Sequence, residues 1–260
     1  LRLPDAIVST KGICAAYRSV FNVTIKTVLM VAKLFIVALF LLPFYGLLLY
    51  LITRKKCSYF FGARAFLFGC LSTIPLILSH EFHLLDISKM HLLFGVIIAT
   101  FVLAAIEELC KKVAEHGHEH FYSHPKGILK KSPPVITWIG VGLGFAYLEN
   151  VIYITEALAH ADVVSIVMLR LLFGTLAHTV FTSLGGYLSL GAAKTLFGTL
   201  KGFVGASISH SIFNVLNYYR LSFLIVPLIA FSVWLIMTIH KRYYTHTVAR
   251  GDPLFRLSRH

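Results

Sequence analysis

Residues 92–112 read LLFGVIIATFVLAAIEELCKK. From Leu92 to Ile106 no side chain carries a charge, and then Glu107, Glu108, Lys111 and Lys112 arrive together. A helix that crosses a bilayer needs about 20 mostly apolar residues, and this run supplies most of them. A carboxylate inside hydrocarbon costs about 2.5–3.5 kcal/mol even on mild insertion scales. The stretch therefore reads as a membrane helix that carries two carboxylates for a reason other than solubility.

The rest of the chain agrees with that reading. Of 260 residues 57% are hydrophobic, the mean hydropathy is +0.79 and only 13% are charged. That charged share is about half the usual ~25% of a soluble domain. The length suits one polytopic membrane domain spanning 1–260. The net charge of +13 belongs to basic residues that hold spans against anionic head groups, so the partners expected are the lipid bilayer and a membrane protein or peptide, with no nucleic acid. The N-terminal LRLPDAIVSTKGICAAYRSVF has no uninterrupted apolar core beside a small-residue cleavage site and does not read as a signal peptide. Cys14, Cys57, Cys70 and Cys110 form no CxxC pair and read as reduced thiols.

The fold class expected is all-α: a polytopic bundle of about seven transmembrane spans. They run near 28–53, 59–80, 90–111, 134–158, 163–190, 195–218 and 221–241, with a functional core over about 90–218. EHGHEHFYSHPKGILKKSPP reads as the longest loop, in which His116, His118, His120 and His124 form a solvated cluster. Basic residues mark cytoplasmic loops. Arg54, Lys55 and Lys56, then Lys126, Lys130 and Lys131, then Lys241, Arg242 and Arg250 alternate with Glu81, Asp86 and Asp162. This places the C-terminus in the cytoplasm, within a cell membrane. Arg2, Lys11, Arg18 and Lys26 make the external N-terminus basic as well, which fits an amphipathic segment lying on the membrane. Gly140, Gly142 and Gly144 in span four, and Gly198, Gly202 and Gly205 in span six, mark close helix packing.

Ionisable residues within spans are functional candidates by default. Four sets qualify: Glu107, Glu108 and Lys111; Phe145, Glu149 and Asn150 in GFAYLEN; Arg170 and His178 in RLLFGTLAH; His210 and Asn214 in SHSIFN. Each has a bland counterpart. Lys111 and Lys112 can anchor an interface, a buried histidine can be packing, Arg170 can pair structurally with Glu149, and the asparagines can join helices. Their occurrence on successive spans favours function. His210 and Asn214, like Glu107 and Lys111, stand four residues apart and share a helix face. Lys111 can thus hold Glu107 ionised or cap the carboxylate pair. Counted from the span ends, His178 lies ~22 Å below the external face and His210 ~22 Å from the cytoplasmic one. Taken literally the two differ in level.

In order along the chain, EELCK fits E-E-x-x-K, FAYLEN fits F-x-x-x-E-N, His178 follows on the next span, and HSIFN fits H-x-x-x-N. Over about residues 100–218 this set resembles the PrsW family of intramembrane proteases, which is similar to the type II CAAX prenyl endopeptidases. Those enzymes resemble F-x-x-x-H at the second motif, where this chain has Glu149 and Asn150, so a prenylated substrate is not implied. The resemblance implies an intramembrane endopeptidase with Glu107 or Glu108 as general base, Glu107 preferred and Glu108 supporting it or facing a metal. His210 and Asn214 can donate hydrogen bonds to an oxyanion. Glu149, His178 and His210 make a His₂Glu set of the kind that binds catalytic zinc. A metal-free, glutamate-driven mechanism is the rival. The competing class is a transporter or proton relay built on buried Glu, His and Arg. No pair of halves with matching broken helices accompanies it.

Overall fold

The computed structural model describes residues 10–53, 59–81, 93–122, 134–158, 163–190 and 196–249. Apolar runs of bilayer length become helices because only a helix satisfies its own backbone polar groups in lipid. They are α1 Thr10–Thr53, α2 Tyr59–Glu81, α3 Leu93–Tyr122, α4 Pro134–Ala157, α5 Val163–Leu190, α6 Leu196–Tyr218 and α7 Ile225–Ala249. The described residues contain no strand. The protein is an all-α membrane helix bundle.

By length and apolarity five helices qualify as spans: α1, α2, α4, α5 and α7. The two that do not are α3 and α6, the helices that carry Glu107, Glu108 and His210. In α3 the apolar run ends in Glu107, Glu108 and Lys111, and α6 carries Lys201 and His210. α4 is the axis, with 67% of its spanning window buried, against 22% for α1 and 17% for α7. It packs on α2, α5, α1 and α3, while α6 bridges α5 and α3 and α7 lies outside α5. After α6 the chain reverses through Arg220 at φ 57°, and the Leu221 N–H donates to the Leu216 carbonyl. This is the left-handed cap that commonly stops a helix.

Glycines set how closely α4 is approached. A Cβ on Gly144 would run into the Phe66 carbonyl of α2, and one on Gly142 would sit 3.0 Å from the His178 carbonyl of α5. Gly202 meets the Gly185 carbonyl in the same way across α6 and α5. These are backbone-to-backbone contacts that only small residues permit.

Two expectations need correction. The loop expected after residue 111 begins later, because α3 continues to Tyr122. Lys111, Ala114, Glu115 and His118 form one buried face, the helical repeat of burial that a loop lacks. His118 is packed between the rings of Phe61 and Phe68. Lying beyond the span, it has a pKa lowered to about 4 by burial and by the charge of Arg64. His116 and His120 are exposed, and His124 lies outside the described residues. The difference in level between His178 and His210 also disappears: their rings are 4.8 Å apart. A 28-residue α5 is ~42 Å long and overshoots a ~30 Å hydrocarbon core, so depth counted from its end is misleading. The loop charges used for orientation, Arg54, Lys55, Lys56, Asp86, Lys126, Lys130, Lys131, Asp162 and Arg250, lie outside the described residues.

Candidate active site

Glu107, Glu108, Lys111, Asn150, His178 and His210 are all buried, Glu107 the most exposed of them at 5%. They come from α3, α4, α5 and α6 and meet inside the bundle. Asn214 is half-buried, one turn beyond His210 on the same face of α6.

On the α3–α6 side, His210 lies between the adjacent carboxylates. Its Nδ1 is 2.9 Å from Glu108 Oε1, and its Nε2 is 3.4 Å from Glu107 Oε2. Glu108 Oε1 also accepts from Lys111 Nζ at 2.6 Å. Glu108 therefore has two donors, which orient His210 Nδ1–H toward it and leave Nε2 directed at Glu107. Glu107 Oε2 is buried and accepts no hydrogen bond. An orphaned buried carboxylate oxygen is costly and calls for an explanation. The partner of Lys111 is Glu108, three residues away, rather than Glu107, four away.

On the α4–α5 side, His178 Nε2 is 2.5 Å from Glu149 Oε2, and its Nδ1 is 3.0 Å from Lys111 Nζ. Glu149 Oε2 is also 2.6 Å from Arg170 Nη2. Arg170 Nε donates to Asn150 Oδ1 at 2.9 Å, and the guanidinium lies 4.0 Å from the centre of the Tyr153 ring. Phe145, one turn before Glu149, packs its ring on His178 at 5.1 Å and under Lys111 Nζ at 4.3 Å. The first residue of the F-x-x-x-E-N motif is thus an apolar wall that fixes an imidazole and an ammonium. α5 adopts a π-helical turn over Arg170–Gly174, a local distortion common at functional sites. It brings Arg170 and His178 onto the same carboxylate.

One ligand atom from each of Glu107, His178 and His210 lies within 4.8 Å of the others. Two imidazoles and a carboxylate are a donor set suited to zinc, and the unpartnered Oε2 of Glu107 is the kind of atom that a cation or a water bound to it would satisfy. The expected ligand Glu149 is not one of these three and is in direct contact with His178.

Sequence reasoning missed Tyr45 of α1 and Thr175 of α5. Asn150 Nδ2 is 2.7 Å from Tyr45 O–H and 3.1 Å from Thr175 Oγ1, and the two hydroxyls are 2.6 Å apart. A tyrosine and a threonine in apolar runs carry no motif. The one available signal was the burden of a hydroxyl at mid-span, which must find a partner.

No curated protein and no solved structure matches the chain. The model of the PrsW family, described as intramembrane metalloprotease, matches residues 60–239, which include every site residue named above except Tyr45. The chain belongs to the PrsW family of intramembrane metalloproteases.

Proposed function

We propose that the protein hydrolyses a peptide bond in a membrane-embedded or membrane-adjacent protein segment, with zinc held by His178, His210 and Glu149 and with Glu107 as general base. The observation that carries this reading is the convergence of Glu107, His178 and His210 around the one buried carboxylate oxygen of the site that lacks a polar contact closer than 3.4 Å. A base for a metal-held water must lie within hydrogen-bond reach of that water, so it gathers with the ligands. Zinc bound there supplies Lewis acidity and a water of lowered pKa. Glu149 and His178, sharing a proton in the arrangement described, would exchange it for the metal.

The chain's own groups perform the remaining tasks. Glu108 accepts a hydrogen bond from His210 Nδ1–H and keeps Nε2 available. This is the carboxylate–imidazole support that metal sites use. Glu107 removes a proton from the attacking water and returns it to the leaving amine. Asn214, whose amide makes no hydrogen bond to another described residue, is one turn from His210 and can donate to the developing oxyanion. The substrate segment unwinds locally, since a carbonyl engaged in a helix is not accessible to attack. The basic residues after α3 and in the C-terminal tail support placing both on the cytoplasmic side. Labelling of an Ile128→Cys variant from outside intact cells overturns that orientation.

The test is metal content together with cleavage. Purified parent protein is expected to carry zinc, to lose cleavage of a transmembrane peptide on chelation and to regain it on zinc addition. His178→Ala and His210→Ala are expected to lose both metal and cleavage. A parent that cleaves undiminished in chelator, with no bound metal, favours the metal-free mechanism and ends the zinc assignment.

A further inference from the structure

The chain of polar contacts behind Glu149 does not stop at Arg170. It runs from His178 through Glu149 and Arg170 to Asn150, and from Asn150 to Tyr45 and Thr175. Between Arg170 and Asn150 the direction is defined. Arg170 Nε is a donor only, so Asn150 presents its Oδ1 to the guanidinium and turns its NH₂ toward Tyr45. The same NH₂ lies 3.1 Å from the Arg170 carbonyl, at the start of the π-helical turn. With Asn150 as donor, the Tyr45 hydroxyl is free to give its proton to Thr175 Oγ1 at 2.6 Å. Tyr45 is itself fully buried, its ring packed between those of Phe66 and Tyr147.

Asn150 thus does two things at once: it orients the guanidinium of Arg170, and it binds the backbone of the distorted turn that carries Arg170. Arg170 Nε and the Arg170 carbonyl set which way the Asn150 amide faces, and the Tyr45 hydroxyl, accepting at 2.7 Å, holds that NH₂ in place. Rotation of that amide by half a turn would set its NH₂ against the guanidinium and its oxygen toward the backbone carbonyl of Arg170, losing both bonds to Arg170. Tyr45 lies outside residues 60–239, which the family model matches.

We propose that Tyr45 of α1 is a positioning residue of the active site: through Asn150 and the π-helical turn it holds Arg170 on Glu149, and so sets the approach of Glu149 to His178. α1 is then part of the catalytic apparatus as well as a membrane anchor. The inference rests on the metalloprotease reading above, in which Glu149 serves the metal.

The experiment compares Tyr45→Phe with Tyr147→Phe. Both retain the ring, and both remove one hydroxyl from the α1–α4 contact, since the Tyr147 hydroxyl donates to the Ala38 carbonyl at 3.0 Å. Zinc affinity is read by chelator competition, and kcat and KM by cleavage of a transmembrane peptide. Tyr45→Phe is expected to weaken zinc binding and to lower kcat by about tenfold each, the low end of losses for groups supporting metal ligands, with KM unchanged. Tyr147→Phe should match the parent in all three. Thr175→Val should resemble Tyr45→Phe, and the double variant should be less impaired than the product of the two, because both act through one amide. Equal losses in Tyr45→Phe and Tyr147→Phe, or none in Tyr45→Phe, overturn the inference. A Glu107→Gln control separates this from failure of the underlying reading: if that variant cleaves normally, the base assignment falls, while the Tyr45→Phe zinc shift still decides the role of Tyr45. A parent that binds no zinc overturns both.

Discussion

The candidate active site has two halves that differ in how their carboxylates are held. In the α4–α5 half, Glu149 is fixed from both sides, by Arg170 at 2.6 Å and His178 at 2.5 Å. In the α3–α6 half, Glu108 is fixed in the same manner by Lys111 and His210, but its neighbour Glu107 has an oxygen whose ion-pair partner, His210 Nε2, stands off at 3.4 Å. A carboxylate locked by a cation is a good orienter or ligand and a poor base, because its lone pairs are committed and its charge is stabilised. The one with an open oxygen is suited to accept a proton. On the proposed reading, the difference between the halves puts proton chemistry on Glu107 of α3, while Glu149 of α4 joins His178 and His210 in holding the metal.

The comparison breaks most sharply at Glu107 and Glu149. Glu107→Gln keeps shape and should keep zinc, yet turnover should fall by about two to four orders of magnitude, the usual worth of a general base. Glu149→Gln should instead lose zinc together with activity. Measuring kcat beside bound metal in both variants decides it, and an exchange of the two outcomes would exchange the roles. Next in size is Glu108→Gln. Loss of a carboxylate that orients a metal-binding imidazole should weaken zinc affinity about 10–100-fold. It also leaves Lys111 buried beside a neutral amide, so thermal unfolding in detergent should fall too. The smallest expected effect is Gly142→Ala. A Cβ there meets the His178 carbonyl at 3.0 Å and the Thr179 Cα at 2.9 Å, so α5 must shift from α4. The cost should be about 1–3 kcal/mol of stability, as for other overpacked sites. It should disturb the α4–α5 half alone, so zinc affinity should fall while Glu108 and His210 remain paired. Unchanged zinc affinity would show that the two halves do not depend on the spacing of α4 and α5.

The reach of the sequence can be judged residue by residue. The membrane bundle was legible because a bilayer imposes length and apolarity on every span, and because Glu107, Glu149, His178 and His210 are too costly in lipid to be there without partners. The motif order was legible for the same reason, and it led to the family that residues 60–239 match. The pairing of Arg170 with Glu149, entertained from sequence, is present at 2.6 Å.

Other features depend on how helices sit against each other, which no local pattern encodes. Helical spacing permitted Lys111 to reach either carboxylate, and packing beneath Phe145 sent it to Glu108 and His178. The extension of α3 to Tyr122 follows from a buried face that exists only where α2 and α4 cover it. The levels of His178 and His210 agree because α5 and α6 cross at glycines that let their backbones touch. Tyr45 joins the site because α1 lies against α4 at Asn150, a contact between positions 105 residues apart. The sequence by itself determined which groups had to be buried, since the price of a charge in hydrocarbon is local to each residue; the tertiary structure alone decided which of them meet, since hydrogen bonds act only over about 3 Å and that proximity is a property of the packed helices.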